Sequence, residues 1–311
     1  MTFTQLEYII SVDTYRHFAK AAQKCFITQP TLSMQIQKLE EELGSKIFDR
    51  SKQPVIPTEL GEEIIRQARI IMHESKMMHQ LVRDRNGKLQ GELRIGIIPT
   101  LAPYLLPMFL QPFLNSYPDI RIRVKEMTTD IILEKLKAGR IDAGLLVTPL
   151  LDNSITEYPL FYEELVAYVS KKNAAYKKTY VLADDIDLKE LWLLEEGHCF
   201  RSQIVNLCEL KKMNKEQSHF EYEAGSVETL RKMVEMHNGV TILPEMATLD
   251  FSVKQLNMIR HFKAPVPVRE VSLITHRNYV KKKLVDALKE QILVNLPQKI
   301  MLNKKRNLVK I

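Results

Sequence analysis

Cysteine is scarce: the 311-residue chain has three. So small and odd a count builds no disulfide scaffold, and it fits a reducing cytosol better than an export route. No apolar run approaches the roughly 20 residues that a membrane span needs. The opening Met-Thr-Phe-Thr-Gln-Leu-Glu lacks the charged and apolar segments of a secretory signal. A cytoplasmic location is therefore expected. Neither the cysteine spacing nor any other pattern reads as a metal site, and no metal or cofactor is expected. What remains is ordinary globular material, 45% hydrophobic and 27% charged, long enough for two or three domains. The net charge of +7 is a modest bias towards an anionic partner, although a basic solvated surface is the more frequent cause of such a surplus.

The N-terminal segment reads as a nucleic-acid reader. Thr4 can cap a helix with Leu6, Ile9 and Ile10 on one face, and a short helix follows over Phe18–Lys24. Thr28 is a candidate N-cap with Pro30 in the first turn, where its missing N–H costs little. The next helix turns Leu32, Ile36, Leu39 and Leu43 inward and stops at Gly44. Two helices joined by a tight turn, the second fronted by Thr28, Gln29, Thr31, Ser33 and Gln35, fit a helix-turn-helix. Those side chains suit base edges, while Lys38 suits a phosphate. Lys46–Lys52 followed by Val55-Ile56 forms a small basic hairpin, or wing, with Arg50 and Lys52 suited to the DNA backbone or minor groove. The competing reading is a three-helix bundle whose polar face is merely surface. The order of parts argues for double-stranded DNA as the partner.

Thr58 can cap a long helix reaching about Arg85, with an apolar stripe through Leu60, Ile64, Ile65, Ala68, Ile71, Met72, Met78, Leu81 and Val82. A rod of about 40 Å exceeds what a domain of some 55 residues can cover. Pairing with a second copy is the expected solution. Packing on its own C-terminal domain is the alternative.

From Gly91 onward strands and helices alternate: strands at Leu93–Ile98, Ile120–Met127 and Ile141–Val147, helices at Ala102–Tyr117 and Ile131–Ala138. That order predicts a parallel sheet wound by crossovers, with ligands outside the carboxyl ends of the strands. Thr100 and Thr129 each follow a strand and precede a helix, so both are crevice candidates, although helix capping is the commoner task there. A second α/β unit starts near Phe161, with strands at Leu165–Val169, Leu191–Leu194, Phe220–Glu223 and Val240–Leu243 and a helix capped by Ser226. The strand Val268–Thr275 and the helix Val280–Leu296 return to the first unit. The tail holding Asn303-Lys304-Lys305-Arg306 is expected to be a solvated end. The fold class expected is therefore α/β: a winged helix-turn-helix (1–58), a linker helix (59–88) and a regulatory domain (89–300) of two Rossmann-like subdomains resembling periplasmic binding proteins. The subdomains are 89–162 with 267–300, and 163–266, and a basic tail (301–311) follows.

Two cysteines frame a helical stretch, Gly197-His198-Cys199-Phe200-Arg201 through Cys208. Cys199 lies at the helix entrance, where the dipole and the cations His198 and Arg201 favour a thiolate, while Glu195 and Glu196 oppose it. Cys208 faces the core. About 13 Å of helix separates the two, against the roughly 5.5 Å that a disulfide bridges. Joining them would take the helix apart, which is the geometry of a switch. Two incidental core cysteines are the plain alternative. Cys25 lies outside the pair and is assigned no redox role.

The run Phe18–Ala22 with Thr28-Gln29-Pro30-Thr31-Leu32-Ser33 through Glu40 resembles the reader of the LysR-type transcriptional regulators. The His-Cys-x-Arg segment with Cys208, then Glu228–Arg231 and Thr241–Pro244, resembles the OxyR branch of that family, and the likeness covers about residues 1–296. The resemblance implies a homotetrameric hydrogen-peroxide sensor that acts on antioxidant genes with RNA polymerase and is re-reduced by a glutaredoxin or thioredoxin system. It also implies that Cys199 is oxidised to a sulfenic acid and captured by Cys208. Peroxide would then be held by Thr100, Thr129, Gly197, His198 and Arg201, with Arg269 in place of a pocket arginine. A regulator, not an enzyme, is expected. A regulator answering to an organic coinducer and a thiol peroxidase are the competing readings.

Overall fold

The fold is a computed structural model describing all residues except 84–88, 184–185, 187–189, 195–198, 208–223, 278, 280–281, 304–306 and 310–311. For 73, 76–77, 79–83, 199, 205 and 307 it describes the backbone alone. The chain divides into two compact units, one built from Met1–Lys88 with Lys137–Arg140 and the other from Leu89–Leu136 with Ile141–Ile311.

In the first unit, helices α1 (Phe3–Tyr15), α2 (Phe18–Lys24) and α3 (Gln29–Leu43) enclose a core of Leu6, Ile9, Val12, Ala21, Leu32, Ile36 and Leu39. The cap of α1 is Thr2 rather than Thr4: the Thr2 hydroxyl accepts from the Gln5 N–H while the Gln5 side chain accepts from the Thr2 N–H. That reciprocal pair satisfies two otherwise orphaned donors, which a cap at Thr4 would not. Helix α3 opens as expected, with Thr28 accepting from the Thr31 N–H and Pro30 in the first turn, and it ends at Gly44 with φ 69°. Leu43, expected inward, is 42% exposed. The chain turns away at Gly44, and Ile47 covers that end of the core instead. The wing is β1 (Phe48–Asp49) paired antiparallel with β2 (Ile56–Pro57).

Helix α4 (Glu59–Arg83) starts with the Thr58 hydroxyl accepting from the Gly61 N–H at 2.9 Å. A Cβ at Gly61 would overlap the Ile47 carbonyl, so only glycine lets the helix pass so close to the wing. The small reader covers more of the stripe than its size suggests. Ile65 and Ala68 are buried in its core, and Ile64, Ile71 and Met72 pack on it, while Leu60 and Met78 stay exposed.

The second unit is one continuous mixed sheet. Strands β3 (Gly91–Ile97), β4 (Ile120–Glu126) and β5 (Ala143–Thr148) are parallel, with helices α5 (Ala102–Ser116) and α6 (Thr129–Lys137) between them. The sequence pattern places the next strand at Leu165. The structure begins it ten residues earlier as β6 (Ile155–Val169), a 15-residue strand shared by both halves. Its first part pairs antiparallel with β10 (Pro267–His276), which also pairs with β5. Its second part pairs with β8 (Val240–Pro244) and β9 (Ile259–Phe262), and β7 (Tyr180–Val181) closes the edge beside β9. Helices α7 (Cys199–Leu207), α8 (Val227–Met236) and the short α9 (Val253–Leu256) belong to this half, and Ser226 caps α8 as expected. Helix α10 (Lys282–Val294) packs on the first half, followed by α11 (Gln298–Met301). The strand expected at Leu191–Leu194 is reduced to single bridges at its ends, Leu191 to Val240 and Leu194 to Ala224. The strand expected at Phe220–Glu223 lies outside the described residues.

Most of the basic run expected as a solvated end, residues 304–306, lies outside the described residues, but the chain beyond it is not a free end. After the undescribed basic residues 304–306, β11 (Asn307–Leu308) adds parallel to Pro267-Val268, and the Val309 N–H donates to the Val268 carbonyl at 2.9 Å. Val309 is buried in the core of the second half. Backbone pairing and one apolar anchor hold Asn307–Val309 to the sheet. Val309→Asp would put an unpaired carboxylate in that site. An expected loss of roughly 2 kcal/mol should appear as a lower denaturant midpoint, and an unchanged midpoint would place the tail in solvent.

Candidate functional site

Strands β3 and β4 end side by side at Ile97 and Glu126, and Thr100 and Thr129 lie just beyond those carboxyl ends. Both are buried, at 2% and 8% exposure. Neither hydroxyl caps a helix. Helix α5 is entered through Leu101 without a side-chain cap, and the Thr129 hydroxyl has no hydrogen-bond partner among the described residues. A buried hydroxyl left without a partner is costly, so a guest or an ordered water is the natural complement.

The centre of this region is Arg269 on β10, fully buried. Its register partner across the antiparallel ladder is Glu163 on β6, equally buried. One carboxylate oxygen, Oε2, accepts from Arg269 Nε at 2.8 Å and lies 2.8 Å from Nη2. The other, Oε1, accepts from the Met246 N–H at 2.7 Å. Burial pushes the Glu163 carboxyl above its ordinary range, while the guanidinium and the Met246 N–H pull the other way. Arg269 also donates through Nη1 to the Thr100 hydroxyl at 3.1 Å and through Nη2 to the Thr100 carbonyl at 3.2 Å. Its guanidinium carbon, Cζ, lies over the Phe200 ring at 5.2 Å from the ring centre. One side chain thus joins the end of β3, the sheet and the first turn of α7. Among the described residues, this leaves one Nη1 proton and the Thr100 O–H to donate to a small guest.

Helix α7 begins at Cys199, at the entrance that the sequence predicts. Phe200, Gln203 and Ile204 are buried. Arg201 Nη1 donates to the Leu194 carbonyl at 2.7 Å, so this expected pocket cation also ties the first turn of α7 to the preceding chain. The Gln203 amide donates to the Val309 carbonyl at 3.2 Å, and its Oε1 has no partner among the described residues. Gly197, His198 and Cys208 lie outside the described residues, as does the side chain of Cys199. The crevice is also strapped from α5 to α8. The Tyr104 hydroxyl donates to Glu228 at 3.0 Å, and burial, reinforced by Glu228, pushes that phenol well above its ordinary value. Arg231 in turn holds Glu228 at 2.7 Å and Glu235 at 2.6 Å.

Glu163, Phe200 and Gln203 are neighbours of the candidate site that the sequence pattern does not single out. The available signal was a glutamate within a strand-like run, at Phe161–Glu164; nothing local pairs it with residue 269. On the reader, Thr28, Gln29, Pro30 and Lys38 are exposed, and Thr31, Ser33 and Gln35 are half-buried. Arg50, exposed like Lys38, also has partners within the protein. It donates to Ser33 at 3.0 Å and to the buried Glu40 at 3.3 Å, and lies over the Phe18 ring at 5.0 Å. Glu40 holds one end of it because a buried carboxylate needs a counter-charge.

With this geometry in place, similarity to known proteins is informative. Residues 3–62 match the family profile for bacterial regulatory helix-turn-helix proteins of the lysR family, and residues 86–296 match the LysR substrate binding domain. The hydrogen peroxide-inducible genes activator of Haemophilus influenzae is 34% identical over 274 residues, covering 88% of this chain and 90% of that protein. The DNA-binding transcriptional dual regulator OxyR of Escherichia coli K12 is 34% identical over 247 residues, or 79% of this chain and 80% of that one. The structure of a full-length OxyR variant from Pseudomonas aeruginosa superimposes with a TM-score of 0.78 at 32% identity, covering 95% of this chain and 99% of the other.

The buried pair predicts an asymmetric response to mutation. Arg269→Met strands the Glu163 carboxylate and should cost about 3–5 kcal/mol in denaturant unfolding, while adding Glu163→Met should recover most of that loss. Equal destabilisation by the single and double variants would contradict the pairing.

Proposed function

The chain belongs to the LysR family of bacterial helix-turn-helix regulators, and we propose that it is switched by hydrogen peroxide acting on Cys199. It is a redox-sensing transcriptional regulator, in keeping with relatives named as peroxide-inducible activators. The observation that favours peroxide at this site is the set of buried donors at the strand ends, Thr100, Thr129 and Arg269, which no helix cap uses. They suit a guest of two oxygens. His198 and Gly197, beside Cys199 in the chain, complete the proposed pocket.

The helix entrance favours the Cys199 thiolate. Its sulfur attacks one peroxide oxygen, the O–O bond breaks, and the departing hydroxide takes a proton to become water, leaving a sulfenic acid. Donors aimed at that oxygen stabilise its developing charge. The Cys208 thiol, as thiolate, then attacks the Cys199 sulfur, forming the disulfide and releasing the sulfenic oxygen as water. About 13 Å of helix separates the two positions, so α7 must unwind. That change is proposed to repack the interface between copies and alter how the reader meets DNA.

The proposed division of labour places DNA binding in residues 1–58, dimerisation in 59–88 and sensing in 89–300, with dimers associating into tetramers. The exposed Leu60 and Met78 on α4 suit a second copy. Operator DNA and RNA polymerase are the proposed partners, and a glutaredoxin or thioredoxin system the reductant, in the cytoplasm. No described helix is long and apolar enough to cross a membrane.

Two predictions test this reading. Peroxide treatment should yield a Cys199–Cys208 linked peptide in mass spectrometry, and Cys199→Ser should abolish the response while operator binding survives. An absence of the linked peptide from the wild type would reject the disulfide mechanism. On the reader, Gln29→Ala should relax sequence choice at particular bases at a cost of about 1–3 kcal/mol. Lys38→Ala should weaken all sites and lower the salt slope by about 1. Unchanged affinity in both would mean that another face reads DNA.

A further inference from the structure

Arg269 has the equipment to receive an organic anion, yet that edge of the guanidinium is already occupied. A carboxylate ligand normally takes the Nε and Nη2 donors of an arginine. Here both face Glu163 Oε2. The carboxylate cannot swing aside freely, because Oε1 is held by the Met246 N–H and the backbones of the two residues are register partners in one ladder. The guanidinium carbon lies over the Phe200 ring at 5.2 Å from its centre. What remains for a guest is the Nη1 side and the Thr100 hydroxyl.

Resting on the peroxide reading above, we propose that Glu163 is a built-in carboxylate ligand that positions Arg269 and makes the crevice select a small neutral guest over an organic anion. An incoming carboxylate would have to displace Glu163 from a fully buried pair or lie against its negative charge, both unfavourable. Hydrogen peroxide carries no charge and both accepts and donates, so it needs only the donors left over. Glu163 is a positioning residue: it acts through Arg269.

Chemical rescue of the full-length protein tests this. Glu163→Ala removes the carboxylate and leaves space for formate or acetate. In that variant either anion should raise the thermal midpoint saturably. The wild type, matched chloride controls and the double variant Glu163→Ala/Arg269→Met should show no such gain. The rate constant for Cys199 oxidation by peroxide should fall on the order of 10- to 100-fold through loss of alignment, and formate should restore it. Alkylation of Cys199 by iodoacetamide, which needs no guanidinium, should stay roughly at the wild-type rate. Glu163→Gln preserves volume without charge and should neither gain stability from formate nor keep the full peroxide rate.

Wild-type peroxide reactivity in the Ala or Gln variant, or an anion gain equal in wild type and variant, would overturn the proposal. So would a lost rate that formate leaves unrestored. If the Ala variant folds only when formate is present, that dependence supports the proposal. If it folds under neither condition, the Gln variant's peroxide rate decides. Should wild-type Cys199 be inert to stoichiometric peroxide, the peroxide reading fails by itself, and the anion response of the Ala variant still decides the role of Glu163.

Discussion

The buried ion pair between Glu163 and Arg269 is the constraint on which the second unit depends. Two charges without solvent contact are tolerated only when each is met by its partner and by further hydrogen bonds. Both conditions hold: Oε1 is met by Met246 and the guanidinium by both oxygens of Thr100. Because the pair lies on opposed strands, β6 and β10 cannot slip in register without separating the charges. That fixes where β3 ends, through Thr100, and where α7 begins, through Phe200.

The reader uses the same device on a smaller scale. Glu40, almost fully buried at the end of α3, accepts from the N–H groups of Ile47 and Phe48 at 2.8 and 3.3 Å and pairs with Arg50. The carboxylate holds the wing against the polar-fronted helix, so the two elements proposed to meet DNA are set as one piece. Arg50 has a bracing task here that its position in a basic hairpin does not advertise.

Helix α7 is secured from three sides: Phe200 against Arg269, Arg201 to the Leu194 carbonyl, and Gln203 to the Val309 carbonyl. Each tie is modest alone. Together they hold the first two turns of α7, which opens at Cys199, in place. The tail takes part through a single carbonyl and one buried valine, both of Val309.

Local physics was legible in the residues themselves. The cap at Thr28, the first-turn Pro30, the stop at Gly44, the alternation of strands and helices, and the opening of α7 at Cys199 all follow from short-range preferences. So did the candidacy of Thr100 and Thr129, since the ends of neighbouring parallel strands are a property of topology. What tertiary structure alone decided is partnership across distance. Glu163 meets Arg269 from 106 positions away, and the Gln203 amide meets the Val309 carbonyl at the same separation. The pairing of Arg50 with Glu40, the outward turn of Leu43 and the pairing of the tail also rest on neighbours brought together by folding. Helical and strand preferences arise within a few residues, whereas a buried charge is tolerated only through a partner that the completed fold supplies.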